Sequence, residues 1–311
     1  MPKREGSFVL PACTVKVKGK TYSSAQTPIK VVKGSGSGAA SSSSSSAQGT
    51  GSVSGEDLFM RLIVDKRNVV LGEPITATLK LYSKVNIGGF EDVRFPSFEG
   101  FWSQVENNPT NIEFRRESLG EEVYNVATLR TYKIIPQKIG DLTIEPSEMV
   151  CLVQVRNHAN SLGNIFDSFF QNDYNTIRKR VRSKGVTIAV NDLPSPKPSS
   201  FCGGVGKFNM AVQLSRDSLR THDAASVLVK VKGEGNLNLV EAPKIKFPAD
   251  FEVYDVKSTD ENGMRIFEYP FIPRSYGDYQ IGPVEFSYYD VTTKSYKTIS
   301  AQALSLNVRK S

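Results

Sequence analysis

The chain has 311 residues, which is enough for two β-sandwich domains and part of a third, since such domains usually take roughly 100 residues each. Its net charge of +7 comes from 39 basic and 32 acidic side chains, and without a nucleic-acid fingerprint this modest excess argues against a nucleic-acid partner. Three scattered cysteines and two histidines predict no disulfide framework, no metal site and no cofactor.

The N-terminal segment, residues 1–33, has the pattern of the last strands of a β-sandwich. Apolar or β-branched residues occupy positions 8–10 and three of positions 14–17, and Pro11 lies between the two runs. We therefore interpret residues 1–33 as the C-terminal part of a truncated repeat, and expect a native leader and a C-terminal membrane anchor to lie outside this sequence.

Residues 34–55 are rich in glycine and serine, with six consecutive serines at positions 41–46. Such a composition offers too little apolar surface to bury and predicts a flexible linker.

Two longer segments follow, residues 56–191 and 206–311, and each is predicted to be a complete β-sandwich. Positions 75–81 of the first and 226–231 of the second alternate between apolar and polar residues, as half-buried strands do. Residues 192–205 join the two, and prolines at positions 194, 196 and 198 predict a stiff linker.

A repeated motif supports the equivalence of these two segments. Seven residues of the first recur in the second, each displaced by 137 positions: Tyr132, Ile135, Pro136, Gly140, Asp141, Ile144 and Pro146 correspond to Tyr269, Ile272, Pro273, Gly277, Asp278, Ile281 and Pro283. Proline ends a strand because it cannot donate to the ladder, and Gly-Asp supplies a turn. The fold class predicted is all-β, with tandem immunoglobulin-like β-sandwich domains.

The first segment carries an insertion, residues 157–184, that has no evident counterpart in the second. Its apolar residues fall at helical spacing from Leu162 to Val181, and its end is basic. An exposed aromatic and basic helix would suit a partner's groove or an anionic membrane surface, whereas the alternatives are that it packs on its own sandwich or forms a loop. The candidate interaction residues are Phe166, Phe169, Phe170, Arg178, Lys179, Arg180 and Arg182.

The repeats, the corner at positions 269–283, and Leu193-Pro194 leading to the glycine-rich stretch 201–208 resemble the BatD, or oxygen-tolerance (aerotolerance), family. The resemblance implies immunoglobulin-like domains on the periplasmic side of the inner membrane. It further implies von Willebrand A domain proteins as membrane-associated partners and, indirectly, a MoxR-type AAA+ ATPase. On this basis we expect a non-enzymatic protein-interaction or scaffold module of a Bat system.

The alternative function is a glycan-binding or adhesin-like cell-surface protein. That function needs exposed stacking aromatics, and the candidates are Trp102, Tyr288 and Tyr289.

Three apparent catalytic patterns favour structural interpretations. The glycines at 203–206 before Lys207 lack the remaining residues of a phosphate-binding loop, since both Phe201 and Phe208 stand where that motif needs other residues. His158 and His222 have no ligand or catalytic motif around them. Neighbouring acids such as Glu121-Glu122 and Asp260-Glu261 point to opposite sides of a strand and do not flank one bond.

Overall fold

The computed structural model describes residues 6–12, 14–17, 20–23, 26–31, 53–156 and 174–311, which fall into two units within residues 1–50 and 51–311. In these ranges the regular structure consists of β-strands and one short 3-10 turn, Leu237–Leu239. The predicted all-β fold with tandem immunoglobulin-like sandwiches is confirmed.

The strands are numbered in chain order. The first unit contains β1 Gly6–Leu10, β2 Thr14–Val17, β3 Lys20–Ser23 and β4 Thr27–Val31. The first sandwich contains β5 Leu58–Val64, β6 Asn68–Val70, β7 Ile75–Ser83, β8 Asn86–Arg94, β9 Phe101–Asn107, β10 Phe114–Leu119, β11 Glu122–Pro136, β12 Gly140–Ile144, β13 Glu148–Arg156, β14 Tyr174–Arg182 and β15 Val186–Asn191. The second contains β16 Phe201–Leu214, β17 Ser218–Arg220, β18 Ala225–Gly235, β19 Phe251–Val253, β20 Lys257–Glu261, β21 Met264–Pro273, β22 Gly277–Ile281, β23 Val284–Asp290, β24 Ser295–Ala301 and β25 Leu304–Arg309.

One arrangement of four strands occurs three times along the chain. In each case the middle two strands pair as an antiparallel hairpin, and the strands before and after them pair with each other: β1 with β4 around β2 and β3, β12 with β15 around β13 and β14, and β22 with β25 around β23 and β24. The N-terminal unit thus has the same strand pairing as the last four strands of each sandwich.

Each sandwich places its core between two layers of strands. In the first, one layer runs β10-β11-β7-β5 with β9 also on β11, and the other consists of β12-β15-β6 and β14-β13-β8. In the second, the strands β19-β21-β18, with β20 on β21, pair with the second half of the long β16, the start of β16 pairs with β23 and so continues into β24, and β17-β25-β22 form a separate sheet. Each sandwich contains a short parallel pairing, β6 with β15 in the first and β17 with β25 in the second, and the second has another between the start of β16 and β23.

The alternation seen in the sequence fills the two cores. Strand β7 buries Ile75, Ala77, Leu79 and Leu81, and β18 buries Val227, Val229 and Val231. Successive side chains of a strand point to opposite faces, so this period of two puts every second residue in the core. The two cores are separate clusters, one drawn from residues 53–190 and the other from residues 202–308.

The repeated corner motif has the same structure at both sites. Tyr132 and Tyr269 are each 4% exposed, Pro136 and Pro273 end β11 and β21, and the glycine of each Gly-Asp pair begins the next strand. Ile144 and Ile281 are fully buried at the ends of those strands. The shared residues therefore fix a strand end, a turn and a core contact.

The proline-containing linker does more than space the two sandwiches. Leu193, Val205 and Tyr289 form a buried cluster against which Val70 of the first sandwich packs. Lys133 of the first sandwich also donates a hydrogen bond to the Gly235 carbonyl of the second, at 2.7 Å. The sandwiches are thus joined by direct contact as well as by the chain.

The glycine-rich stretch at 203–206 has a structural explanation. Gly206 lies opposite Gly235 in the β16–β18 ladder, with a φ of 144°, and a Cβ atom there would lie 2.1 Å from the Glu234 carbonyl oxygen. A side chain cannot fit at that distance, so the strands can approach only at glycine. The structural interpretation of these glycines agrees with this close backbone contact.

This contact predicts that Gly206→Ala lowers the free energy of unfolding by at least about 3 kcal/mol, because the strands must separate to admit the methyl group. Gly263 provides the matched control, since its φ is 72° and nothing lies within 4 Å of a Cβ placed there. Gly263→Ala should cost only about 1 kcal/mol. Urea denaturation followed by far-UV circular dichroism measures both, and equal losses would contradict the clash.

Candidate functional site

The structure places the predicted interaction residues in two groups. Phe166, Phe169 and Phe170 lie outside the described residues, as do His158 and the start of the predicted helix. Arg178, Lys179, Arg180 and Arg182 lie on β14, which pairs along its whole length with β13. The helix prediction is therefore wrong over Tyr174–Arg182, and β14 occupies the same place in its hairpin as β24 in the second sandwich.

The spacing of two apolar residues explains the error. Ile177 and Val181 are four positions apart, which places them on one face of a helix but also, because four is even, on one face of a strand. Both pack against the core of the first sandwich. Arg178, Arg180 and Arg182 occupy the opposite, exposed face of β14.

Two of these arginines form salt bridges with acidic residues of neighbouring strands. The guanidinium of Arg178 lies 2.6 Å from a carboxylate oxygen of Glu91, and Arg180 pairs with Glu148. Within the described parts of the chain, Arg182 makes no salt bridge. The positive charge of Arg182, exposed at the end of β14, is thus available to a ligand.

Arg182 lies on the wall of a groove in the first sandwich. The groove has a volume of about 1120 Å³ and runs along β5, the β10–β11 turn and the segment between β14 and β15. Among the described residues, its charged lining consists of five cations and two acids: Arg61, Arg67, Lys84, Arg182, Lys184, Glu56 and Glu122. We call this the basic groove.

Two cations of the groove, Arg61 and Lys84, lie over aromatic rings. Phe59 stacks on Tyr82 with ring centroids 5.0 Å apart, and Tyr124 meets both rings edge-on. The Arg61 guanidinium lies 5.2 Å from the Phe59 ring centre, and the Lys84 ammonium lies 5.0 Å from that of Tyr124. Such contacts orient a cation without neutralising it.

One of the two groove acids is already paired. Glu122 lies 2.9 Å from the Lys84 ammonium, and this hydrogen bond raises the pKa of Lys84. Four cations and Glu56 then remain without a salt-bridge partner within the described residues, so the groove is suited to a negatively charged ligand.

The aromatics proposed for glycan stacking do not form an exposed platform. Tyr289 is 5% exposed within the cluster between the sandwiches, and the half-buried Tyr288 packs edge-on against Phe208. Trp102 is half-buried as well. The arrangement does not favour stacking on a sugar.

The histidine and the acid pairs have structural environments. His222 occupies a turn with a φ of 72°, and its Nδ1 lies 3.3 Å from the Arg274 guanidinium. Its turn has the same backbone bonds as the turn at Gly72, since Gly72 and His222 donate to the carbonyls of Pro136 and Pro273. Asp260 forms a salt bridge with Arg265 at 3.0 Å. Over the described ranges, no three acidic, histidine or cysteine side chains cluster as metal ligands would.

These features define the class: a pair of immunoglobulin-like β-sandwiches in direct contact, the first of which carries the basic groove. Residues 212–308 match the family model described as "BatD DUF11 like domain". The resemblance to the BatD family is thus confirmed over the second sandwich. A comparison with curated protein sequences finds no match.

Several solved structures are remotely similar. InvD of Yersinia pseudotuberculosis is 12% identical with a TM-score of 0.28, covering 81% of this chain and 58% of its own, so the chain spans less than two thirds of that protein. The Escherichia coli adhesin FdeC is 12% identical with a TM-score of 0.24, covering 97% of this chain and 74% of its own. Likenesses this remote do not extend to function. In the described ranges, no helix is long and apolar enough to cross a membrane.

The two described cysteines yield a prediction about reactivity. Burial raises the pKa of both the Cys151 and the Cys202 thiol to about 11, and the nearby Glu241 carboxylate adds to the effect at Cys202. A thiol reacts as its thiolate, and a rise of two pKa units leaves about 100-fold less thiolate at pH 8.

In a Cys13→Ser chain, both thiols should therefore stay unmodified by a disulfide reagent at pH 8 until urea unfolds the protein. Absorbance of the released thiolate measures the rate. Modification of the folded chain at the rate of a free thiol would contradict the burial of both groups.

Proposed function

We propose that this protein is a non-enzymatic, extracytoplasmic interaction module of a membrane-associated Bat (aerotolerance) system. The observation that carries the proposal is the BatD domain match over residues 212–308. The chain acts at the periplasmic side of the inner membrane, where its partners are von Willebrand A domain proteins coupled to a MoxR-type AAA+ ATPase.

The first sandwich supplies the contact surface in this proposal. Its basic groove combines rigid aromatic side chains with cations, and Arg and Tyr are the residue types that dominate protein interfaces. A groove with this charge is complementary to an acidic partner surface, and such complementarity speeds association and selects the partner. Two of its cations, Arg61 and Arg67, lie far in sequence from the predicted basic segment.

The chemistry of the groove also supports a binding function. The one described histidine, His222, lies in the second sandwich, and the described thiols are held protonated by burial. Hydrolytic chemistry would require a nucleophile and a base within hydrogen-bond reach of each other. The residues of the groove instead offer cations and aromatic faces.

The test is crosslinking of the full-length protein in native membranes, with mass spectrometry of what it contacts. We expect a von Willebrand A domain protein among the crosslinked products, and expect its yield to fall in the double variant Arg182→Glu and Lys184→Glu, whose charges face the groove. The matched control is Lys257→Glu with Lys297→Glu, which makes the same charge change at exposed positions of the second sandwich.

Three outcomes would contradict the proposal. One is the absence of any von Willebrand A domain protein from the products of the unchanged chain. Another is an equal loss in the control variant. The third is binding of anionic liposomes by the unchanged chain that the groove variant abolishes, which would indicate a membrane surface as the ligand.

Deleting most of the predicted insertion, residues 160–183, would not serve in place of these charge reversals. The deletion would remove β14, whose Val181 is 5% exposed in the core of the first sandwich, and the fold would be lost with it. Charge reversal at exposed positions keeps the strand in place.

A further inference from the structure

The basic groove runs along the edge of a sheet. Strand β5 is the last strand in the order β10-β11-β7-β5, and in the described residues its outer side pairs with no other strand. Strand β14 lies beside β5 without forming a ladder with it. An unpaired edge presents a row of backbone donors and acceptors.

The backbone bonds around β5 indicate which residues face outward. The Asp65 N–H donates to the Thr76 carbonyl at 3.1 Å, and the Lys84 N–H donates to the Asp57 carbonyl at 2.8 Å. Hydrogen bonding alternates along an antiparallel pair, so the odd-numbered residues of β5 bond to β7. The N–H and C=O groups of Met60 and Leu62 therefore point toward the groove, which both residues line.

This edge has few of the features that usually protect an exposed strand. Strand β5 is seven residues long and contains no proline, and its one charged residue is Arg61. Ile63 is 40% exposed on the same outer face as Arg61. Strands at open edges are otherwise shortened, bulged or interrupted by proline, because they can pair with other chains.

We propose that an extended, acidic segment of a partner protein adds to the outer edge of β5 as a further strand, lying in the basic groove. The inference rests on the proposed function, since it identifies the kind of segment that the first sandwich binds. Backbone bonds to Met60 and Leu62 would supply affinity, and acidic side chains opposite Arg61 and near Arg182 would supply selectivity.

Charge favours the acidic partner segment over two other possible occupants of the groove, a second copy of the chain and the chain's own linker. A second copy that paired β5 with β5 would bring the Arg61 side chains of both copies close together, and like charges on neighbouring strands are destabilising. The chain's own linker, residues 34–55, contains no charged residue and cannot neutralise the groove. An acidic partner segment can both pair with the open edge of β5 and neutralise the cations of the groove.

The structure also predicts the pattern of the segment. Leu62 and Val186 are buried beside the groove, whereas Arg61 and Ile63 are exposed on the opposite face of the strand. An added strand alternates in the same way, so its inward residues should be apolar and its outward residues acidic.

The experiment measures binding of labelled octapeptides to the whole chain by fluorescence anisotropy. The probe alternates valine with glutamate, and a second peptide has lysine in place of glutamate. A third keeps the glutamates but carries methyl groups on four successive backbone nitrogens, which block both edges of the peptide. We expect the first peptide to bind at least about tenfold more tightly than either of the others.

Charge reversal in the protein provides a second test of the acidic character of the segment. The double variant Arg61→Glu and Arg67→Glu should weaken the glutamate peptide about tenfold and gain affinity for the lysine peptide. The control pair, Lys257→Glu with Lys297→Glu, should change neither affinity. Far-UV circular dichroism verifies that each variant is folded.

Equal binding of the methylated peptide would overturn strand addition, and equal binding of the lysine peptide would overturn the acidic assignment. A dimer by size-exclusion chromatography that the peptide dissociates would identify a second copy as the occupant and would also overturn the proposal. If no peptide binds while a von Willebrand A domain protein still crosslinks to the unchanged chain and its yield falls in the Arg182→Glu and Lys184→Glu variant, the inference fails and the proposed function stands. Loss of both would refute both.

Discussion

The nested pairing of two antiparallel ladders, one inside the other, is the constraint on which each sandwich depends. A strand that buries every second side chain leaves its backbone polar groups to be paired at its two edges. The outer pairs β12–β15 and β22–β25 and the inner hairpins β13–β14 and β23–β24 meet that requirement, and the connections between outer and inner strands are short. Chain length can then vary between the inner strands without disturbing the ladders, and residues 157–173 occur at that position.

The sequence contains enough local information for the cores and the corners. Alternation at positions 75–81 and 226–231, and the seven corner residues at one offset, follow from side chains that face either the core or solvent. Ile177 and Val181 could not distinguish helix from strand, because a spacing of four satisfies both periods. The contact of Leu193 with Val205 and Tyr289 was not predicted, because the prolines at positions 194, 196 and 198 indicated only a stiff linker between the two segments.

The groove lay beyond sequence reasoning for a different reason. Arg182 was among the predicted interaction residues, but Arg61, Arg67 and Lys84 come from segments more than 90 positions away and are brought beside it only by the fold. The alternation along β5 carries a signal, since the half-buried Phe59 and the exposed Arg61 and Ile63 alternate with the buried Leu58, Met60 and Leu62. Alternation along a strand does not show, however, that β5 is the edge strand of its sheet.

The contact between the two sandwiches has a mechanical consequence. Bending at the linker would separate Val70 from the cluster of Leu193, Val205 and Tyr289 and break the hydrogen bond from Lys133 to the Gly235 carbonyl. Loss of this apolar contact and of the hydrogen bond opposes such a hinge motion. A force applied to the second sandwich is therefore transmitted to the first through this packed contact, because the linker does not act as a free hinge.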